Sequence, residues 1–256
     1  MTPHPDWPSF LDEYHRTNPA ITEQLLQRCT DDPYGWLMAA VPSPTGVMLD
    51  LACGSAPLFG RRESSGYVGV DFSVAELSVA ARRGVGPLVR GDAGRLPLAD
   101  ASIDVAVCSM ALQVLTPLPT VLSEMARVLR PGGRLVALIP VSAPLTVTDR
   151  LRYGQVLLRL RRWRLGYANP GVPRTLRRSG WTIESQQARR FAYPIQTPAD
   201  GRRLVQSLYL PGSSTARQQT TAEQVSRWLG AELGIPLLRL VARPPALEAD
   251  RQAVFS

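Results

Sequence analysis

The sequence predicts a doubly wound α/β fold: a mostly parallel, seven-stranded sheet with a helical cap before it and a helical insertion after its fifth strand. Three observations carry that expectation. From Val47 onward, short apolar runs alternate with amphipathic helical stretches, the pattern of parallel βαβ units. Three of those runs close on an acid, at Asp50, Asp71 and Asp92. The composition is that of a folded chain, with 45% hydrophobic and 20% charged residues and a mean hydropathy of -0.06 over 256 residues. Disordered, collagen-like and membrane-spanning classes are poor fits to those values.

The elements follow in order. Residues 1–8 hold three prolines and predict a loose arm. Phe10 to Arg16 and Ile21 to Thr30 predict short helices, the second with Leu25 and Leu26 on an apolar face. A third short helix covers Tyr34 to Ala40 and stops at the turn-rich VPSPTG, so residues 1–44 form an arm and a cap. VMLDL is the first strand, and small residues lead from it into an expected helix. YVGVD, PLVRGD, DVAVCSM and GRLVALIP supply the next four strands. Between them lie SVAELSVAARR and LPTVLSEMARVLR, helical in period, the second closed by Pro131-Gly132-Gly133. A helix from Asp149 to Leu165, with Tyr153, Val156, Leu157, Leu160 and Trp163 on one face, interrupts the alternation as an insertion at about 145–167. The pattern resumes with a helix over Pro173 to Ser179 and the strand WTIESQQARRFAYP. Helices around Asp200–Leu210 and Thr221–Leu233 then lead to a last strand, IPLLRLVA. The main domain spans 45–243, and residues 244–256 read as a flexible tail.

Several classes drop out. The longest apolar run, Leu135 to Val147, is broken by Pro140 and Pro144 and falls short of the ~20 residues a bilayer needs. The N-terminus has neither the basic nor the apolar region of a secretory signal. Cys29, Cys53 and Cys108 form no CxxC pair, so no disulfide framework and no metal site are expected. These features predict a cytoplasmic enzyme. All 29 basic residues are arginine, and thirteen fall between Arg150 and Arg203 against Glu184 and Asp200 alone. The positive charge is regional.

The chemistry concentrates between Val47 and Met110. In VMLDLACGSAPL, an apolar strand ends in Asp50 and turns through Ala52, Gly54 and Ala56, small enough to let a ligand approach the backbone. Asp71 ends the second strand seventeen residues after Gly54, where an acid can accept both hydroxyls of a ribose. Gly91-Asp92-Ala93 ends the third strand. All three strand ends meet at one edge of the sheet, the usual ligand crevice.

In LDLACGSAPL, YVGVDFS, GDAGRLPLADASIDVAVCSMAL and EMARVLRPGGRLVALIP, over about residues 47–140, the chain resembles the class I S-adenosylmethionine-dependent methyltransferases. The resemblance is strongest to the group related to the ubiquinone and menaquinone methyltransferases. It implies a Rossmann-like sheet, S-adenosylmethionine as cofactor and methyl transfer to a small-molecule acceptor at O, N or C, in secondary metabolism. Asp50, Ala52 and Gly54 would hold the amino-acid part of the cofactor, and Asp71 the ribose. Phe72 would lie beside the adenine, with Asp92 on its amino group and Ala93 contributing a backbone contact. Ser109 and Met110 would line the cofactor near its methyl group. Two departures stand out: Ala52 and Ala56 replace the first and third glycines of the GxGxG turn, and Gln113 stands where many relatives carry a histidine.

The cap offers His15 and Tyr14 as candidates for a catalytic role; the other histidine, His4, lies in the Pro-rich arm. His15 can equally be a helix-end residue near the macrodipole. Tyr153, Trp163, Tyr167 and Tyr209 are candidates for lining the acceptor pocket, although aromatics at helical spacing commonly belong to a core. Cys53 and Cys108 read as fillers, and Glu124 as a capping or solvated carboxylate. Two alternatives stay open. The acceptor could be RNA, gripped by the Arg-rich region 150–203, although no RNA-binding module or zinc ribbon is present; nucleic acid is the less favoured partner. The fold could also serve a cyclase or binding protein that retains the cofactor site and transfers no methyl group. Oligomeric state is not legible.

Overall fold

The computed structural model describes residues 6–162 and 165–245. The apolar runs become the strands β1 (Thr45–Leu51), β2 (Ser64–Asp71), β3 (Leu88–Arg90), β4 (Ile103–Ser109), β5 (Leu129–Pro140), β6 (Thr182–Ile195) and β7 (Ala231–Arg243). They form a seven-stranded sheet in the order β3-β2-β1-β4-β5-β7-β6. Neighbours from β3 to β5 run parallel, and β7 runs antiparallel to both β5 and β6. The winding reverses between β1 and β4, which opens a crevice at their carboxyl ends.

Side-chain alternation along β1 divides the core. Met48 faces the layer that holds Leu25, Leu26, Tyr34 and Leu37 of the cap. Leu49 and Leu51 face Val121, Leu122 and Met125 of α5 (Leu118–Val128). Both faces are therefore covered, as a parallel sheet requires.

The cap comprises α1 (Trp7–Thr17), α2 (Ile21–Leu26) and α3 (Pro33–Met38). Helix α1 begins earlier than the sequence predicts. Asp6 accepts a hydrogen bond from the Ser9 amide, and Pro8 sits in the first turn, where a missing N–H costs nothing. The prolines that suggest a loose arm instead include part of a helix start.

The expected helix after β1 is absent. Residues 52–61 form successive tight turns, with Ala56 N–H donating to Cys53 O, Phe59 to Ala56 O and Arg61 to Leu58 O. Left-handed backbone at Ala52, Gly54, Ala56 and Gly60, with Pro57 among them, cannot continue into a right-handed helix. Helix α4 (Val74–Arg82) is capped by Ser73 as its sequence suggests. Helix α5 stops at Val128, before the Pro-Gly-Gly signal, because the extended backbone at Leu129 already enters β5.

Helix α6 (Val147–Arg159) is the insertion. Helices α7 (Val172–Arg178), α8 (Pro198–Gln206) and α9 (Thr215–Ser226) complete the layers. Helix α9 starts six residues before the predicted Thr221, and β7 takes over from Ala231, after the left-handed turn at Gly230. No helix among the described residues is long and apolar enough to cross a membrane. His4, Trp163 and most of the predicted tail lie outside the described residues.

Candidate functional site

A cavity of about 260 Å³ opens at the carboxyl ends of β1, β2 and β4, between the sheet and the cap. Its floor is the turn after β1. Ala52, Gly54 and Ala56 have φ of 53°, 55° and 57°, so every second residue is left-handed. Glycine adopts that region freely, whereas alanine is disfavoured there by roughly 1–2 kcal/mol. The turn therefore keeps a backbone shape that suits three glycines while supplying one. Ala56→Gly should stabilise the protein by up to about 1 kcal/mol, the strain relief being partly offset by the greater freedom of glycine in the unfolded chain. Urea unfolding checks this, and a clear loss of stability would contradict the strain.

Asp71 links the turn to the next strand. Its Oδ2 accepts from the Gly54 amide at 2.7 Å and its Oδ1 from the Ser73 amide at 2.8 Å. Burial pushes its carboxyl up, opposed by those two amides and by His15 nearby. Asp50 is 1% exposed, and its Oδ2 accepts from the Tyr67 hydroxyl at 2.9 Å. Burial raises its pKa to about 7; the Tyr67 bond opposes the rise and neighbouring Asp71 adds to it.

The remaining predicted positions also meet at the cavity. Phe72 presents an exposed ring with the Arg90 guanidinium 5.7 Å from its centre. Asp92 is exposed, its Oδ1 accepting from the Gly94 amide at 2.8 Å, and Ala93 follows on the same wall. Ser109 and Met110 close the far side. Met110 is left-handed at φ 58°, and the Ser109 hydroxyl is buried without a partner in the protein.

His15 lines the cavity, and its Nδ1 lies 2.8 Å from Glu76 Oε1. The second Glu76 oxygen accepts from the Ala20 amide at 2.9 Å, which fastens α4 to the cap. Tyr14 is placed differently. It is buried, its hydroxyl donates to the Gln206 carbonyl at 2.7 Å, and it is not in the cavity wall. Of the described aromatic candidates for the acceptor pocket, Tyr153, Tyr167 and Tyr209, only Tyr209 lines the cavity. Tyr153 donates to the Gly234 carbonyl and packs into the core, and Tyr167 packs behind Val114 and Tyr209. The insertion thus supports the pocket from behind.

Two further carboxylates of the cavity wall, Glu76 and Glu23, are not marked as site residues by the sequence. Glu76 stands three residues after Ser73, the spacing of a capping box, which hides a tertiary role behind a local one. Glu23 is buried and bonded to the Ser55 hydroxyl, with both oxygens 2.8 Å from Arg83 Nη1. No local sequence signal marks that pair. Cys53 and Cys108 are buried, burial pushes both thiols up, and neither is suited to act as a nucleophile. Glu124 accepts from the Leu96 amide and pairs with Arg127, a structural use. Among the described residues no cluster of His, Cys, Asp or Glu is arranged to hold a metal ion.

The charge of the wall constrains its ligand. Asp12, Glu23, Asp50, Asp71, Glu76 and Asp92 line the cavity, and among the described residues His15 is the one basic side chain in its wall. Such a wall suits a cation and opposes a pyrophosphate, and no helix N-terminus follows the β1 turn to receive phosphate. Toward the cap the surface turns apolar, through Pro8, Leu11, Val114 and Leu115.

Comparison with known proteins gives a consistent picture. Residues 49–137 match a family model described as a methyltransferase domain. Demethylmenaquinone methyltransferase of Mycolicibacterium vanbaalenii is 47% identical over 96 residues, covering 37% of this chain and 42% of that one. The chain thus matches less than half the length of that relative. Among solved structures, the [4+2]-cyclase SpnF has a TM-score of 0.62 at 17% identity, covering 96% of this chain and 99% of that one. Phosphoethanolamine N-methyltransferase 2 of Haemonchus contortus, in complex with S-adenosyl-L-methionine, has a TM-score of 0.57 at 16% identity, covering 95% and 61%. At such identities the two structures share the fold.

Proposed function

We propose that this chain, which matches a methyltransferase-domain family model over residues 49–137, is a class I S-adenosylmethionine-dependent methyltransferase that transfers a methyl group to a small, largely apolar acceptor. The observation that supports this most is the acid-lined cavity at the sheet's switch point, with Asp71 in its wall and bonded to the Gly54 amide. The cavity fits the cofactor. Its carboxylates suit a ligand that carries a sulfonium and an ammonium, and the unpartnered Ser109 hydroxyl can bond a ligand atom there. When bound, S-adenosylmethionine supplies an electrophilic methyl group.

Asp50 and the turn through Ala52 and Gly54 would hold the amino-acid part of the cofactor, and Asp71 the ribose hydroxyls. Phe72, Asp92 and Ala93 would receive the adenine, and Ser109 and Met110 the methyl end. The acceptor lies toward Pro8, Leu11, Val114 and Leu115. Alignment of the two reactants and exclusion of water by α1 supply much of the acceleration. Glu76 holds the proton on His15 Nδ1, which leaves Nε2 as the acceptor nitrogen of the ring. His15 Nε2 therefore takes the proton from an acidic hydroxyl or enol of the acceptor, the role that Gln113 cannot fill. Tyr14 has no part in proton transfer, and serves to tie α1 to the end of α8. The demethylmenaquinone methyltransferase likeness favours a quinol-like acceptor, and a place in secondary metabolism is part of the same proposal.

Calorimetry on Asp71→Asn tests the cofactor site. Loss of a charge-assisted ribose contact should weaken S-adenosylmethionine binding by roughly ten- to a hundredfold, about 1.5–3 kcal/mol. Unchanged affinity would remove Asp71 from the site.

A further inference from the structure

The sequence predicts that α6 turns an apolar underside to the protein and arginines to solvent. The outward face carries more than arginines. Val147, Leu151 and Leu158 are 74%, 65% and 78% exposed. At ~3.6 residues per turn these three side chains fall within about 40° of one another around the axis. Gly154 lies in the same stripe, so nothing bulky interrupts it. The opposite side is fully engaged: Val156 and Leu160 are buried, and Asp149 is bonded to Arg190 and Gly234. The exposed stripe is therefore not a misplaced core face.

Charge flanks the stripe. Arg150 lies on one side of it and Arg159 on the other, both exposed, and exposed Arg161 follows the helix end. Among the described residues none of the three enters an ion pair. The helix's one acid, Asp149, points inward. An apolar ridge between arginines, with no outward acid, matches the interface of an anionic bilayer, where leucines enter the acyl boundary and guanidinium groups meet phosphates. Nucleic acid would satisfy the arginines but leave the leucines without a function. A second copy of the chain would bring like charges together and would bury only three apolar side chains.

We propose that the outward face of α6 docks this protein on an anionic lipid surface. Later in the chain, Tyr167 and Ala168 pack on a cluster that includes Val114 and Tyr209, two residues of the cavity wall. This docking does not depend on the methyl-transfer reading.

Sedimentation of the full chain with vesicles tests it, using phosphatidylcholine alone and phosphatidylcholine mixed with phosphatidylglycerol, at about 0.15 M salt. The wild-type protein should partition onto the anionic vesicles and leave the neutral ones. The double variant Leu151→Ser/Leu158→Ser changes exposed positions only, and should lower partition at least tenfold. Arg150→Gln/Arg159→Gln should lower it about fivefold per arginine. Equal partition of the leucine variant would overturn the proposal, leaving only the general attraction of arginines for polyanions, RNA included. A dimer in analytical ultracentrifugation that the leucine variant dissolves would also overturn it, by making the stripe a self-contact.

Discussion

His15→Ala should lower kcat by about 10²–10⁴-fold on any hydroxyl or enol acceptor the wild-type protein methylates, the usual range for a lost general base. The expectation rests on the position of His15 in the cavity wall and on its 2.8 Å contact with Glu76. Glu76→Gln is the informative companion. An amide can still accept from Nδ1–H but carries no charge to stabilise the protonated ring, so a loss smaller than that of His15→Ala is expected. Two readouts separate chemistry from folding. The acid limb of the kcat/KM profile should vanish in His15→Ala and move to lower pH in Glu76→Gln, where the charge at position 76 no longer favours the protonated ring. Cofactor affinity should hold within a fewfold in both. An unaltered acid limb in His15→Ala would remove the base from the mechanism.

Asp149→Ala should cost about 2–4 kcal/mol of stability, since it strips a buried carboxylate from donors arranged around it. Arg190 Nε donates to Asp149 Oδ2 at 2.6 Å, the Gly234 amide to Oδ1 at 2.7 Å, and the Thr146 hydroxyl to Oδ2 at 2.8 Å. Burial alone would raise this carboxyl, yet the Arg190, Gly234 and Thr146 donors outweigh it and hold it well below the usual carboxylate range. The sign of the pH dependence follows. A depressed pKa contributes stability that is present above the unfolded value, about 3.9, and is lost as pH falls below it toward the folded value. Urea unfolding should therefore show a wide gap between wild type and variant near neutrality that narrows in acid. A gap that stays constant through that range would assign the loss to packing and not to charge.

The elements most legible from sequence are those whose periodicity is set by burial. The strands around Leu49, Val70, Val107 and Val136 are apolar because both sheet faces are covered. The turn after β1 was harder to read. Small residues followed by Pro57 resemble a helix start, and only the backbone reveals that Ala52 and Ala56 are left-handed and end the possibility. The predicted cofactor positions meet at one cavity because each sits at a strand end, which sequence marks well. Glu76 and Glu23 escaped because their partners, His15 and Arg83, are 61 and 60 residues away along the chain. Sequence offers Tyr153 as a candidate for either pocket or core, because an aromatic stripe has the same spacing whether it meets a ligand or a core. Its bond to the Gly234 carbonyl shows the core role.

If the acid-lined cavity binds S-adenosylmethionine, calorimetric titration of the purified protein at pH values on either side of 7 reads that binding and its proton linkage together. Asp50 is half-protonated near pH 7 because burial raises its carboxyl. A cationic ligand beside it favours the ionised form, so binding should release a proton below pH 7 and tighten as pH rises, by up to about tenfold per unit until Asp50 is ionised in the free protein. Titration in two buffers of different ionisation enthalpy reads that proton. Micromolar binding that strengthens from acid to alkaline pH, with proton release on the acid side, is the predicted result. Absence of binding at millimolar cofactor, or an affinity that weakens as pH rises through 7, would contradict it.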